Sequence, residues 1–359
     1  MKNFIIFFLI IMVVCFVTPN LFLKDVMAIE SIDINSISLL ELPEIFKNNI
    51  EKNLEESIGG GDSNLNDAQI GGDKNKVANQ EKIKLLLKEE NKVIELNFDD
   101  YIKGVLIGEM PVDYELEALK AQALVARSYT LYKLENSSSI HENADMCDDI
   151  NCCQCYKTKE YAFASWDDEE ELEKWLKVEE AVQATNNQYI AYDGEVIAAF
   201  FHANSAGNTE DVKYVWGGDE IPYLKSVISF ESDFDQESKL FNKNDFEKLI
   251  CRKNDNYDYE NDVIEVVNNT PSGRVENILF GDVIIKATEL RKMLGLKSTN
   301  FKFDKRENEI EFMTIGYGHG VGMSQVGANQ MAMDGKTYEE IVKHYYTNVD
   351  ILKIEKIAE

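Results

Sequence analysis

The chain has 359 residues, with 65 acidic and 37 basic side chains, so its formal net charge is −28. Hydrophobic residues make up 44% of the chain, which is enough for a sizeable core and excludes disorder throughout. The acidic balance argues against a nucleic-acid binder, because phosphate backbones are bound through clustered Lys and Arg. The length is typical of roughly two domains.

The first 28 residues have the pattern of a membrane anchor or an export signal. Lys2 precedes fourteen apolar residues at 4–17, and no further charge occurs before Lys24. This stretch is about long enough for a single-pass transmembrane helix, whereas residues 26–28 fit a signal cleavage site. Both alternatives, with the orientation that Lys2 favours, predict that the rest of the chain lies outside the cytoplasm.

Residues 29–82 are rich in Asn, Asp, Glu and Gly, which predicts an acidic, largely disordered stalk. Residues 83–357 form the predicted folded domain, where apolar periodicity indicates both helices and strands. The predicted elements are strands within 83–96, helices at 115–134 and 169–186, a β-hairpin at 189–203, a strand at 283–286, a helix at 287–294, one or two strands at 301–315, and helices at 321–333 and 338–346. Their irregular order predicts an α+β fold.

Glu109 stands in an apolar setting, after residues 105–108 and before Met110 and Pro111. A carboxyl group in apolar surroundings keeps its proton near neutral pH, as a general acid requires. The alternative is a surface glutamate that ends one element before the proline. Residue chemistry alone leaves both interpretations open.

The segment 316–322 alternates glycine with other residues and leads into a predicted helix. Such a loop lets backbone N–H groups approach a ligand, although a tight strand-to-helix turn has the same composition. It fits neither the dinucleotide pattern nor the P-loop, because the third glycine and the lysine are missing. His202 and His319 are candidate bases or ligands, or polar residues of the core.

Several motifs together resemble the stage II sporulation protein D (SpoIID/LytB) family. They are Glu109-Met110-Pro111 with the helical motif at 118–129, Phe201-His202 with Ser205 and Gly207, Val215-Trp216-Gly217, Tyr223-Leu224-Lys225, and the segment 318–325. The resemblance covers about residues 85–357. It implies a lytic transglycosylase that cleaves the β-1,4 bond between N-acetylmuramic acid (MurNAc) and N-acetylglucosamine (GlcNAc) in peptidoglycan, with formation of 1,6-anhydro-MurNAc. One departure is Ser205-Ala206-Gly207, where the family usually has Ser-Gly-Gly.

The resemblance also implies roles for individual residues. Glu109 matches the catalytic acid and base of the family, and Tyr223 and Lys225 match positions tied to activity. The expected substrate-binding residues of the cleft are His202, Ser205, His319, Ser324 and Gln325.

A loop at 141–155 contains five soft or borderline metal donors, one histidine and four cysteines. The resemblance implies a structural Zn²⁺ ion on His141, Cys147, Cys152 and Cys153, with Cys152 in place of a histidine of the family. Two alternatives stay open: a zinc set that includes Cys155, and disulfide bonding among these thiols in an exported protein.

The setting implied by the resemblance is septal peptidoglycan degradation during engulfment in sporulation, from the mother-cell membrane facing the forespore. The expected partners are peptidoglycan glycan strands, a sporulation amidase and a membrane scaffold protein. One alternative function is a non-catalytic glycan-binding modifier of an autolysin or amidase. The other is a zinc amidase, which needs an open metal position.

Overall fold

The computed structural model describes residues 81–136, 141, 143–167, 169–231 and 234–354. The predicted anchor at 1–28 and almost all of the predicted stalk at 29–82 lie outside these residues. Within the described ranges, no helix combines the length and the apolar composition that crossing a bilayer requires.

The described part of the chain contains nine helices. They are α1 (Phe98–Glu109), α2 (Leu116–Asn136), α3 (Lys159–Ser165), α4 (Glu171–Ala184), α5 (Val212–Trp216), α6 (Lys243–Ile250), α7 (Ala287–Leu294), α8 (Gln325–Met333) and α9 (Tyr338–Tyr345). The strands are β1 (Lys82–Leu87), β2 (Lys92–Asn97), β3 (Met146–Cys147), β4 (Gln188–Tyr192), β5 (Glu195–Val196), β6 (Phe201–His202), β7 (Gln236–Asn242), β8 (Ile264–Asn269), β9 (Val275–Phe280), β10 (Val283–Lys286), β11 (Phe301–Lys305), β12 (Glu309–Ile315), β13 (Met323–Ser324) and β14 (Asp350–Lys353).

These strands form several small sheets. Their strand orders are β2-β1-β3, β14-β4-β5, β10-β9-β8, β11-β12-β7 and β13-β6. Most pairs are antiparallel, while β1 with β3 and β6 with β13 are short parallel pairs. Helices and small mixed sheets confirm the predicted α+β fold.

Helix α2 lies at the centre of the main core. Its residues 121–131 are buried without interruption, because α1, α4, α8, α9 and β4 all pack against it. A helix surrounded in this way is buried on every face. Its buried Arg127 forms a 2.8 Å ion pair with Asp99, which joins α2 to the first turn of α1.

Residues 236–315 build a second hydrophobic core. The rings of Phe246, Phe280 and Phe312 are fully buried there, between the sheets β10-β9-β8 and β11-β12-β7 and the helices α6 and α7. The sequence predicted only the C-terminal elements of this region, from 283 onward. The separate core is a finding of the structure.

The predicted helices at 115–134, 169–186, 287–294 and 338–346 are confirmed, with small differences in their ends. The hairpin predicted at 189–203 is shorter, because the chain leaves it after Val196 and β6 pairs with β13 instead. The helix predicted from 321 begins at Gln325, after Ser324 has capped its first turn.

Candidate functional site

Glu109 is the last residue of α1. The helix begins after Asn97, whose side chain accepts a hydrogen bond from the Asp99 N–H, and it ends where Met110 becomes extended. The Met110 N–H still bonds the Leu106 carbonyl at 3.0 Å, so the turn that carries Glu109 is closed. Glu109 is partly buried, at the point where the backbone leaves the helix.

The carboxyl group of Glu109 has a perturbed proton affinity. Burial among apolar groups raises its pKa from 4.5 to about 7, although the hydrogen bond that Oε1 accepts from the Cys155 N–H at 2.5 Å opposes the shift. The C-terminal end of a helix carries a partial negative charge, and the last turn of α1 has no basic residue to offset it. Glu109 is therefore a carboxyl group that can hold or release a proton near neutral pH.

His141, Cys147, Cys152 and Cys153 are brought together in one cluster, which we call the His/Cys cluster. Their donor atoms all lie within 4.8 Å of one another. His141 Nε2 is 3.4 Å from the Cys153 sulfur and 3.5 Å from the Cys152 sulfur, and the latter two sulfurs are 3.9 Å apart. One metal ion can reach all four donors.

Cys155 is not one of the clustered donors. Its backbone N–H is directed at Glu109, and its sulfur would lie 3.2 Å from a Cβ atom placed on Gly108. The described cysteines are free thiols, including all four in this loop. The structure thus supports the donor set without Cys155.

Tyr223 and Lys225 lie in the turn that follows α5. The Tyr223 hydroxyl accepts a hydrogen bond from the Ala198 N–H at 3.3 Å, and burial raises its pKa to about 12. Lys225 is exposed and borders a shallow surface cavity that Asp211 and Glu220 also line. None of these contacts involves Glu109, whose carboxyl group accepts a hydrogen bond from the Cys155 N–H instead.

The rings of His202 and His319 lie near each other, with centroids 5.7 Å apart and an interplanar angle of 54°. His202 Nδ1 donates to the Val321 carbonyl at 3.1 Å, while His319 Nδ1 accepts from the Val321 N–H at 3.0 Å. Burial lowers the pKa of His202 far below its ordinary value and that of His319 to about 3. Both rings are therefore neutral, and His319 also contacts the half-exposed Trp216, at a centroid distance of 5.0 Å.

The glycine-rich segment 316–322 packs against the protein itself. A Cβ atom on Gly322 would be 1.9 Å from the Phe200 carbonyl oxygen, and one on Gly320 would be 2.9 Å from the Arg274 guanidinium group. Both glycines have positive φ, at 73° and 85°, which other residues adopt only with strain. The alternation of glycine thus serves close packing, as the tight-turn interpretation predicts.

Glu231 is a buried carboxylate that binds two of the predicted substrate-binding residues, Ser205 and Ser324. It accepts hydrogen bonds from the Ser205 N–H and hydroxyl, both at 2.8 Å, from the Gly207 N–H at 2.9 Å, and from the Ser324 hydroxyl. Gln325 follows the last of these serines and donates to the Gln122 side chain at 3.4 Å. The structure thus brings Ser205 and Ser324 together at Glu231, and both serines are buried.

The sequence of this chain is similar to those of known proteins. The family model described as SpoIID, stage II sporulation protein, matches residues 87–192, which include Glu109 and the His/Cys cluster. Over 260 residues the chain is 35% identical to stage II sporulation protein D of Bacillus subtilis, covering 70% of this chain and 74% of that protein. The chain belongs to the stage II sporulation protein D family.

Two further relatives extend this assignment. The stage II sporulation protein D of Bacillus amyloliquefaciens is also 35% identical over 260 residues, which are 70% of this chain and 73% of that protein. The amidase enhancer of Bacillus subtilis is 27% identical over 299 residues, 68% of this chain but only 39% of the enhancer. Membership in the family supports a role in sporulation.

Two residues that bind the predicted substrate-binding residues were not predicted from the sequence. Glu231 lies in an acidic stretch that looks exposed, and Arg274 lies in the turn between β8 and β9, far from every motif. Arg274 donates to the Ser205 carbonyl at 2.6 Å and to the Asn208 carbonyl at 3.2 Å. No local pattern marks either residue, because their partners are distant in sequence.

Proposed function

We propose that this chain is a peptidoglycan lytic transglycosylase that cleaves the MurNAc–GlcNAc β-1,4 bond and leaves a 1,6-anhydro-MurNAc end. The observation that carries the proposal is the Glu109 carboxyl, fixed by the Cys155 N–H at the end of α1 with a pKa of about 7. A group with this pKa can hold or release its proton near neutral pH, so it can act as an acid and then as a base.

In the proposed mechanism Glu109 transfers a proton twice. It first protonates the glycosidic oxygen as the bond from C1 to that oxygen breaks, so the GlcNAc side leaves as an alcohol. The C6 hydroxyl of the same MurNAc then bonds to C1, and the Glu109 carboxylate accepts its proton. The net reaction consumes no water, and the intramolecular attack gains from proximity.

This mechanism needs one carboxyl group, whereas most water-using glycosidases need two. Among the described residues, the influences that shift the Glu109 pKa are burial and the Cys155 amide, with no second carboxylate among them. A single carboxyl group with this pKa is sufficient for the anhydro-forming reaction.

Tyr223 and Lys225 are proposed to act on the sugar next to Glu109. Tyr223 presents a partly buried ring that can stack on a sugar, and burial keeps its hydroxyl protonated. The exposed ammonium group of Lys225 can stabilise negative charge. The predicted substrate-binding residues, His202, Ser205, His319, Ser324 and Gln325, are proposed to form the wall of the glycan site, which Glu231 and Val321 hold in place.

We propose that the His/Cys cluster holds a structural Zn²⁺ ion. In a tetrahedron with ordinary zinc bond lengths, two sulfurs lie about 3.8 Å apart and a sulfur and a nitrogen about 3.6 Å apart. The distances of 3.9, 3.4 and 3.5 Å between the donors of His141, Cys152 and Cys153 fit these values. With Cys147 the set fills all four positions, so it leaves no open position for a zinc amidase.

The proposed setting is the septal peptidoglycan of a sporulating cell, where a membrane-anchored, extracytoplasmic enzyme would act with an amidase and a membrane scaffold protein. The similarity to an amidase enhancer supports one alternative, a non-catalytic glycan-binding modifier of an amidase. Both functions require glycan binding. They differ in whether the chain itself breaks the glycosidic bond.

Mass spectrometry of glycan products separates the two functions. Purified protein and its Glu109→Gln variant are incubated with glycan strands stripped of stem peptides. We expect anhydro-MurNAc ends from the wild type and a loss of about 100-fold to 10,000-fold in the variant, as removal of a general acid predicts. Wild-type protein that binds the strands without producing anhydro ends would support the modifier instead.

A further inference from the structure

Residues 154–157, which we call the strap, lie directly on the backbone of α1. A Cβ atom on Gly104 would be 2.1 Å from the Tyr156 ring, and one on Gly108 would be 2.8 Å from the Cys155 carbonyl oxygen. The two glycines are four residues apart, so they share one face of the helix. This face is the seat of the strap, and it ends at Glu109.

Hydrogen bonds fix the strap along this seat. The Lys157 N–H donates to the Gly104 carbonyl at 3.0 Å, and the Cys155 N–H donates to Glu109 Oε1 at 2.5 Å. The buried Gln154 amide donates at 3.0 Å to the Thr130 hydroxyl of α2. The strap is therefore attached to both α1 and α2, and the Cys155 N–H binds the proposed acid, Glu109, directly.

Ring stacking adds to this attachment. The Tyr156 and Tyr101 rings are nearly parallel, at an interplanar angle of 7° and a centroid distance of 6.0 Å. Tyr101 is fully buried in α1, so the strap extends the core over the glycine face. Alanine at Gly104 would remove the space in which the Tyr156 ring lies.

The N-terminal end of the strap is continuous with the His/Cys cluster. Only Gln154 separates Cys153 from Cys155, and two residues of chain span at most about 7 Å. The backbone at Cys153 and the amide that binds Glu109 are therefore close neighbours, so a backbone shift at Cys153 can be transmitted to that amide. Cys147, another member of the cluster, is held by the pairing of β3 with β1.

We infer that the strap is a positioning element, which fixes the Glu109 carboxyl only while the His/Cys cluster is assembled. The inference rests on the proposed function for its catalytic consequence. A glutamate side chain has three rotatable bonds, and a 1 Å misplacement of a reacting group costs on the order of 100-fold in rate. The metal thereby affects the reaction through the strap, without contact with substrate.

The first measurement is amide hydrogen exchange on the full chain, zinc-loaded and after chelation, which needs no activity. We expect exchange at 154–157 to rise at least about tenfold on chelation, while α2 stays protected, because its bonds lie within the core. Unchanged exchange at 154–157 would overturn the inference. An equal rise in α2 would also overturn it, since the metal would then support the whole domain.

The second measurement uses Gly104→Ala, which disturbs the seat and leaves all four cluster donors in place. We expect one zinc per chain, faster exchange at 154–157, and a kcat about 100-fold lower with KM within about twofold. Glu180→Ala is the matched control, because it places an alanine at an exposed position of the neighbouring helix α4, away from the strap. A wild-type kcat in Gly104→Ala would refute the positioning role.

These two measurements keep the inference separable from the proposed function. If the wild type makes no anhydro ends, the transglycosylase proposal fails, while exchange at 154–157 still shows whether the cluster holds the strap. If the wild type is active and exchange does not respond to zinc, the strap inference fails and the proposed function stands.

Discussion

Glu109 should make the folded protein less stable as pH rises, and Glu109→Gln should remove this dependence. The folded protein holds the carboxyl proton up to a pKa of about 7, whereas the ordinary value, 4.5, applies to the unfolded chain. Below pH 4.5 the carboxyl is protonated in both states. Between pH 4.5 and 7 the unfolded chain gives up its proton first, so stability falls; above pH 7 the full cost is present.

The difference in pKa corresponds to about 3 kcal/mol of lost stability above pH 7. The amide side chain of the Glu109→Gln variant would carry no charge, and its oxygen would still accept the Cys155 N–H bond that Glu109 accepts at 2.5 Å. We therefore expect Glu109→Gln to be about 3 kcal/mol more stable than the wild type at pH 8 and equally stable at pH 4. The variant is thus expected to gain stability while losing activity.

Urea denaturation of both proteins, zinc-loaded, at pH values from about 4 to 8.5 measures this difference. Because metal affinity falls at acid pH, the two free energies of unfolding are subtracted only at pH values where both proteins retain one zinc per chain. A difference that does not change with pH would refute the reasoning, because it would show that the Glu109 carboxyl has the same pKa in both states.

Three further predictions concern the cluster, the central helix and the glycine segment. Cys155→Ser should keep one zinc per chain and Cys152→Ser should lose it, as elemental analysis of the purified variants would show; equal zinc content in both would contradict the donor set. Asp99→Ala should lower the free energy of unfolding by about 3 kcal/mol in urea denaturation, because it leaves the Arg127 guanidinium buried without its partner. Gly322→Ala should cost more than about 1 kcal/mol and reduce soluble yield, since its Cβ would meet a backbone oxygen at 1.9 Å; wild-type stability would contradict the packing argument.

The elements that local pattern predicts well are those whose ends carry their own signals. Helix α7 has the predicted bounds, because it follows a short strand and ends at Gly295, which adopts the left-handed conformation of a helix cap. Helix α2 differs from its prediction by one or two residues at each end. In both cases the local sequence is sufficient to predict where the helix begins and ends.

Helix α1 was missed because its local signals conflict. Residues 105–107 form a continuous apolar run that reads equally as a strand, and Gly104 and Gly108 have low helix propensity. The helix forms because its apolar residues pack on α2 and α4 and because the strap covers its glycines. These contacts are tertiary, so no window of local sequence contains them.

In the candidate site, too, local sequence predicts some features, whereas others depend on tertiary contacts. The family resemblance implies the four donors of the His/Cys cluster as a set, whereas their types and spacing alone leave a zinc set with Cys155 and disulfide bonding open. The contact between Glu109 and Cys155 joins residues 46 positions apart, and that between Glu231 and Ser324 spans 93. Residues so far apart in sequence are brought together only by the tertiary fold. The chemical type of each residue therefore does not predict which residue it contacts.

The second core at 236–315 cannot be treated as a removable module, although it buries its own aromatic residues. Its β8–β9 turn reaches into the main core, where the hydroxyls of Thr270 and Ser272 each donate at 2.6 Å to the buried carboxylate of Glu210. Arg274 from the same turn fills the space beside Gly320 and binds the Ser205 carbonyl. Removal of residues 236–315 would leave the Glu210 carboxylate and the Ser205 carbonyl without these buried partners, so we expect it to destabilise the rest of the folded domain.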